Sequence, residues 1–170
     1  MRRLAFIGVL AILVAIGAGV FFFGGFFNVA GAEEDPGVVQ WALAFVRKAS
    51  IERHATDTPP IALDDAATIQ AGARAYVAAG CVNCHGGPGN IKWQKFSEGM
   101  HPYPADLKDS AGELTAPQIF FVVKNGIKFT GMPSFGSEGV SDHDMWTIAA
   151  FVKKWPSISE ADFKGWTATP

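Results

Sequence analysis

Residues 81–85 read Cys-Val-Asn-Cys-His, and no other stretch constrains this chain so tightly. A C-x-x-C-H run is a c-type haem attachment signal. Two thiols on one turn of backbone can each add to one vinyl group of the same porphyrin. The histidine beside the second thiol is then held against the iron. The covalent links keep the group in place even if an axial ligand is lost. Cys81 and Cys84 are the only cysteines, so none is left for a structural disulfide. The expected cofactor is one haem c, joined covalently through Cys81 and Cys84, with His85 as an iron ligand.

Two rival readings are weaker. A thioredoxin-like pair should open a helix just after a strand. Here the run comes after a helical segment and leads into the loop Gly86-Gly87-Pro88-Gly89. A zinc site needs two further ligands at suitable spacing, and there is no second cysteine pair.

The apolar fraction of 49% is high for a soluble domain, but the excess sits in the first segment. Arg2 and Arg3 precede an uncharged run from Leu4 to Ala32. About 20 apolar residues suffice to cross a bilayer core. The arginines favour an N-terminus left in the cytoplasm, which sends the rest of the chain outward. Ala30-Gly31-Ala32 has the form of a signal-peptide cleavage site, yet the apolar run far exceeds the usual h-region of about 7–15 residues. The expectation is therefore an uncleaved anchor over residues 1–32. A linker with an amphipathic helix comes next over 33–60, and a mono-haem domain over 61–170. The haem domain then lies in the periplasm, tethered to the inner membrane. A net charge of −2 gives no reason to expect nucleic acid as a partner.

Along the chain, Asp35 is a good N-cap and Pro36 suits a first helical turn. The helix they open should reach about His54. Val38, Trp41, Ala42, Phe45 and Ala49 recur at three- and four-residue steps. That stripe is expected to pack on the haem domain, the alternative being a helix on the membrane surface with Trp41 at the interface. His54 reads as surface. Thr58-Pro59-Pro60 marks a linker. Asp64 is expected to cap a helix running to about Ala79, with Gly72 and Tyr76 on one face. Residues 86–110 read as irregular, with His101-Pro102-Tyr103-Pro104 stiff and extended. A helix starts at Thr115 or Ala116 and stops at Asn125-Gly126. Ser141 with Asp144 opens the last long helix, which must end before Pro156. Ser159 and Asp162 suggest a short terminal turn.

A haem that only moves electrons should hold a second strong protein ligand. The candidates are Met100, Met132, Met145, His101 and His143. Met145 falls on a core-facing helical position. Met100 comes so soon after His85 that its loop would have to fold back sharply. Met132 sits between Gly131 and Pro133, a tight and pre-set backbone, and is the expected iron ligand opposite His85. His101 would give bis-histidine iron at lower potential, because a soft thioether favours ferrous iron.

Taken together, Gly72-x-x-x-Tyr76, Cys81-x-x-Cys84-His85, Asn125-Gly126-Ile127, Thr130-Gly131-Met132-Pro133 and the Trp146–Phe151 run resemble the class I c-type cytochromes of bacterial respiratory membranes. The resemblance covers about residues 66 to 157. It implies an all-α fold, a class I cytochrome c haem domain preceded by one transmembrane helix and a linking amphipathic helix. It implies that the first and last helices cross at a glycine–aromatic contact, Gly72 and Tyr76 against Ile148 and Phe151. It implies His85 and Met132 as axial ligands, and places Tyr103, Pro104 and Leu107 on a haem-side loop. The function implied is that of an electron carrier, not an enzyme, linking a donor complex or dehydrogenase to a terminal oxidase. Two alternatives are a fixed haem subunit of a larger membrane oxidoreductase, and a haem sensor, which the presence of Met132 disfavours. Lys92, Lys95, Lys124 and Lys128 lie near the ligand-bearing loops, where they would form a weak basic rim for acidic partners.

Overall fold

The computed structural model describes residues 2–168. Among these the fold is all-α, with no strand and a single isolated bridge between Gly87 and Ile91. Eight helices succeed one another: α1 Arg2–Phe23, α2 Gly37–His54, α3 Ala66–Ala78, α4 Cys81–His85, α5 Leu107–Glu113, α6 Ala116–Asn125, α7 Asp142–Lys154 and α8 Glu160–Thr167. Backbone contacts divide the chain after Gly31 into two compact units.

The first unit is α1. Its 22 residues give a rod of about 33 Å, enough to cross a hydrocarbon core of about 30 Å. None of its side chains is buried in protein, and it is long and apolar enough to cross a membrane, a test that a signal sequence also passes. The rings of Phe21, Phe22 and Phe27 gather where the helix ends.

The second unit is built on the crossing of α3 and α7. Gly72 makes that crossing possible. A Cβ there would strike the Thr147 carbonyl and come within 2.8 Å of the Phe151 Cβ. With no side chain in the way, the two backbones approach closely. Tyr76, one turn on, packs against Phe151 at 5.3 Å between ring centroids, and Trp155 and Phe163 close the cluster. The glycine–aromatic contact forms with Phe151 as the resemblance implied, but the α7 backbone against Gly72 is that of Thr147 where Ile148 was expected. On the other side of α7, Trp146 lies flat on Phe120 of α6, centroids 4.1 Å apart and planes 6° apart. Each such buried aromatic contributes roughly 1.5–3 kcal/mol from apolar area alone. Met145 is fully buried here, as its helical position indicated.

The helix ends obey local chemistry. Thr115 and Gln118 form a full capping box on α6, Ser141 caps α7 through the Asp144 amide, and Ser159 caps α8 through the Asp162 amide. Four expectations need correction. Pro36, not Asp35, holds the N-cap position of α2, and no side chain caps it. Asp65, not Asp64, caps α3, accepting from the Thr68 amide at 2.9 Å. Asp64 instead pairs with Lys154 of α7 at 2.7 Å. The stretch after the haem motif is less irregular than its prolines and glycines suggest. It contains a 3-10 turn, Lys95–Gly99, and α5, capped by Asp106 through the Lys108 amide at 2.7 Å. Lys153 of α7 reaches the carbonyls of Ala111 and Leu114, at 2.5 and 2.8 Å, and so satisfies groups the end of α5 would leave open. Lastly, the apolar stripe of α2 does not pack on the rest of the unit. Of α2 only Ile51 is buried, while Trp41 and Phe45 are 69% and 63% exposed. His54 is exposed, as expected, but its ring stacks on Phe121 of α6.

Candidate haem centre

The C-x-x-C-H run forms the single turn α4, which starts directly after Gly80 ends α3. Both thiols are free, Cys81 buried and Cys84 half-buried. Burial pushes the Cys81 thiol up to about 12, so it stays protonated at neutral pH. Among the described residues no group of three or more His, Cys, Asp or Glu could hold a bare metal ion. The pair therefore does not belong to a zinc site. It comes after a helix rather than a strand, which also removes the thioredoxin reading.

His85 is oriented by its neighbours. Its Nδ1 lies 2.9 Å from the Ala105 carbonyl. A carbonyl only accepts, so Nδ1 carries the proton and Nε2 keeps its lone pair for a metal. Burial lowers the His85 pKa, and the Ala105 hydrogen bond opposes this more weakly. The imidazole is thus held neutral, the form that ligates.

The turn is anchored from behind by Tyr76. Its buried hydroxyl donates to the Gly86 carbonyl at 2.8 Å, tying α3 to the residue after His85. Burial raises the tyrosine pKa, so the group remains a donor at any ordinary pH. Removing the hydroxyl in Tyr76→Phe leaves that carbonyl without its partner. The expected loss is about 1–3 kcal/mol of stability, read by chemical denaturation, with the haem spectrum of the folded protein little changed.

Met132 lies in a loop stitched to the end of α6. The Thr130 hydroxyl donates to the Ile127 carbonyl at 2.8 Å and accepts from the Met132 amide at 3.1 Å. The Ile127 amide donates to the Met132 carbonyl at 3.2 Å. Beyond it, the Ser134 hydroxyl and the Gly136 amide both donate to the Lys124 carbonyl, and the Phe135 amide donates to that of Val123. Gly126 ends α6 at φ 68°, and any Cβ there would come within 2.7 Å of the Met132 carbonyl. The backbone around Met132 is therefore fixed by hydrogen bonds on both sides, while its side chain stays half-buried.

Met100 follows His85 closely, and reaching the Met132 loop requires its own loop to fold back. Its loop does fold back, and its methyl group occupies the space where a Gly131 side chain would begin. A second thioether therefore packs against the loop that carries Met132. His101, whose peptide bond to Pro102 is cis, stands edge-on to Tyr103. His143, near the start of α7, is exposed. Lys124 leaves the expected basic rim: it pairs with Asp142 at 2.8 Å and covers the Phe120 ring. Lys92, Lys95 and Lys128 remain exposed.

The donor set fits a covalently held haem. It offers two unpaired thiols on one turn, an imidazole in the ligating tautomer and a thioether in a braced loop. Helical fold and attachment motif together define a class I c-type cytochrome carrying covalently bound haem c. Residues 67–152 match the family described as cytochrome C oxidase, cbb3-type, subunit III, and the chain belongs to that family. No curated protein and no solved structure matches the chain.

Proposed function

We propose that the chain carries single electrons on the outer face of the bacterial inner membrane, between a respiratory donor and an oxidase or other acceptor. Haem-based electron transfer is the activity of a cytochrome c domain. The iron supplies the one-electron couple. The chain's own residues set how it works. Cys81 and Cys84 hold the porphyrin by thioether bonds. His85 Nε2, aimed by the Ala105 carbonyl, and Met132 Sδ would hold the iron. The hydrogen bonds within residues 126–136 would hold the backbone that carries this thioether in one place in either oxidation state. The observation that carries this reading is the bracing of Met132 against the end of α6. Optical spectra of Met132→Ala beside the parent protein test it.

Anchor, linker and haem domain are proposed over 1–32, 33–60 and 61–170. A second reading is favoured by the family match, whose description names an oxidase subunit. In that case the chain is a fixed haem subunit of a larger membrane oxidoreductase. Co-purification at constant stoichiometry in mild detergent supports the subunit, and purification of the chain alone supports the carrier.

Lys92, Lys95 and Lys128 are proposed to steer an acidic partner. Association rates are then expected to fall as ionic strength rises. Stopped-flow reduction that is indifferent to salt removes the steering idea.

A further inference from the structure

α2 has two unlike faces. One runs along a groove of about 840 Å³, where Leu43, Arg47 and Ile51 look across at Tyr103, Phe121 and Lys128. At about 100° per residue, Val38, Ala42, Phe45 and Ala49 fall on the opposite side, with Trp41 at the border, one edge of it lining the groove. That opposite side is unpartnered. Val38 is 72% exposed, and Trp41 and Phe45 stack on each other in solvent with centroids 6.0 Å apart. Contiguous exposed apolar surface of this kind marks a site of interaction.

The occupant is indicated by where the charge lies and by the chain just ahead. Residues Gly37–Val46 carry no charge, and Arg47, Lys48, Glu52 and Arg53 all come later in the helix. The apolar half is the half nearest the membrane-type helix α1 in the sequence. Only thirteen residues, 24–36, join the two helices. Fully extended, they reach about 45 Å. An apolar helix face ending in an aromatic pair, tethered that closely to a bilayer span, suits the boundary between headgroups and acyl chains.

We infer that the Val38–Trp41–Phe45 face of α2 lies in the lipid surface and fixes the standing of the haem domain on the membrane. The inference rests on reading α1 as a retained membrane span.

The test uses the full holoprotein in vesicles of phosphatidylethanolamine and phosphatidylglycerol doped with a diazirine-tailed phospholipid. After photolysis, cleavage at glutamate separates residues 1–34 from 35–52 for mass spectrometry. Both peptides are expected to carry lipid adducts. In Trp41→Ser/Phe45→Ser the adducts on 35–52 should fall about tenfold while those on 1–34 persist. Adducts on 1–34 with none on 35–52 overturn the inference and leave the anchor standing. If 35–52 then cross-links to a second polypeptide in native membranes, the face is a protein interface instead. No adducts on 1–34 remove the anchor, and the inference falls with it.

Discussion

Met132→Ala is expected to abolish the weak long-wavelength sulfur-to-iron band and to lower the reduction potential. Axial ligands span about 0.8 V of haem potentials, and exchange of a thioether for water or a harder donor should cost roughly 100–200 mV of that range. Alanine leaves the loop backbone intact, because the bonds that brace it run through Thr130, Ser134 and main-chain atoms. The variant should therefore fold and bind haem. Its ferrous form should bind carbon monoxide at neutral pH, which the parent should resist. Met100 supplies the informative complication, since its methyl already rests on Gly131. A variant that keeps the sulfur band must be drawing on Met100, and Met100→Ala/Met132→Ala would then lose it. Retention of the band in the double variant would refute ligation by either thioether.

Gly72→Val should be the most damaging single substitution away from the haem ligands. The added carbons meet the Thr147 carbonyl and the Phe151 Cβ, which are parts of α7 that cannot rotate aside. Relief requires α3 and α7 to separate, and their separation also loosens Tyr76 from Phe151 and from the Gly86 carbonyl. Overpacking of this kind costs about 3 kcal/mol or more. For a domain near this size, that lowers Tm by roughly 6–12 °C. Thermal unfolding monitored at the Soret band measures it. A shift of under about 2 °C would mean that the crossing is not close-packed.

The site was more legible than its surroundings, for physical reasons. Covalent haem attachment needs its residues adjacent in the chain, so Cys81, Cys84 and His85 announce themselves. Helix caps are local too: Ser141 with Asp144 was readable from spacing alone, while Thr115 was placed only as one of two possible starts of α6, and Ser159 suggested a short turn where the eight-residue α8 stands. The misreadings lie where a distant element decides. Asp64 and Asp65 are equivalent as caps until Lys154, ninety residues on, takes one of them. The end of α5 is completed by Lys153, which no local pattern announces. The period of α2 gives two faces without saying which one meets protein. Met100 comes to lie against Gly131 through the fold of residues 86–110, a long-range contact that no local spacing announces.

The central claim is the bond between this chain and its porphyrin. Trypsin should release residues 75–92, which contain Cys81, Cys84 and His85, from the protein made with a working haem-attachment system. After denaturation, that peptide should retain the Soret absorbance and weigh one haem more than its sequence alone. A colourless peptide at its bare mass, with both cysteines open to alkylation, would contradict the account.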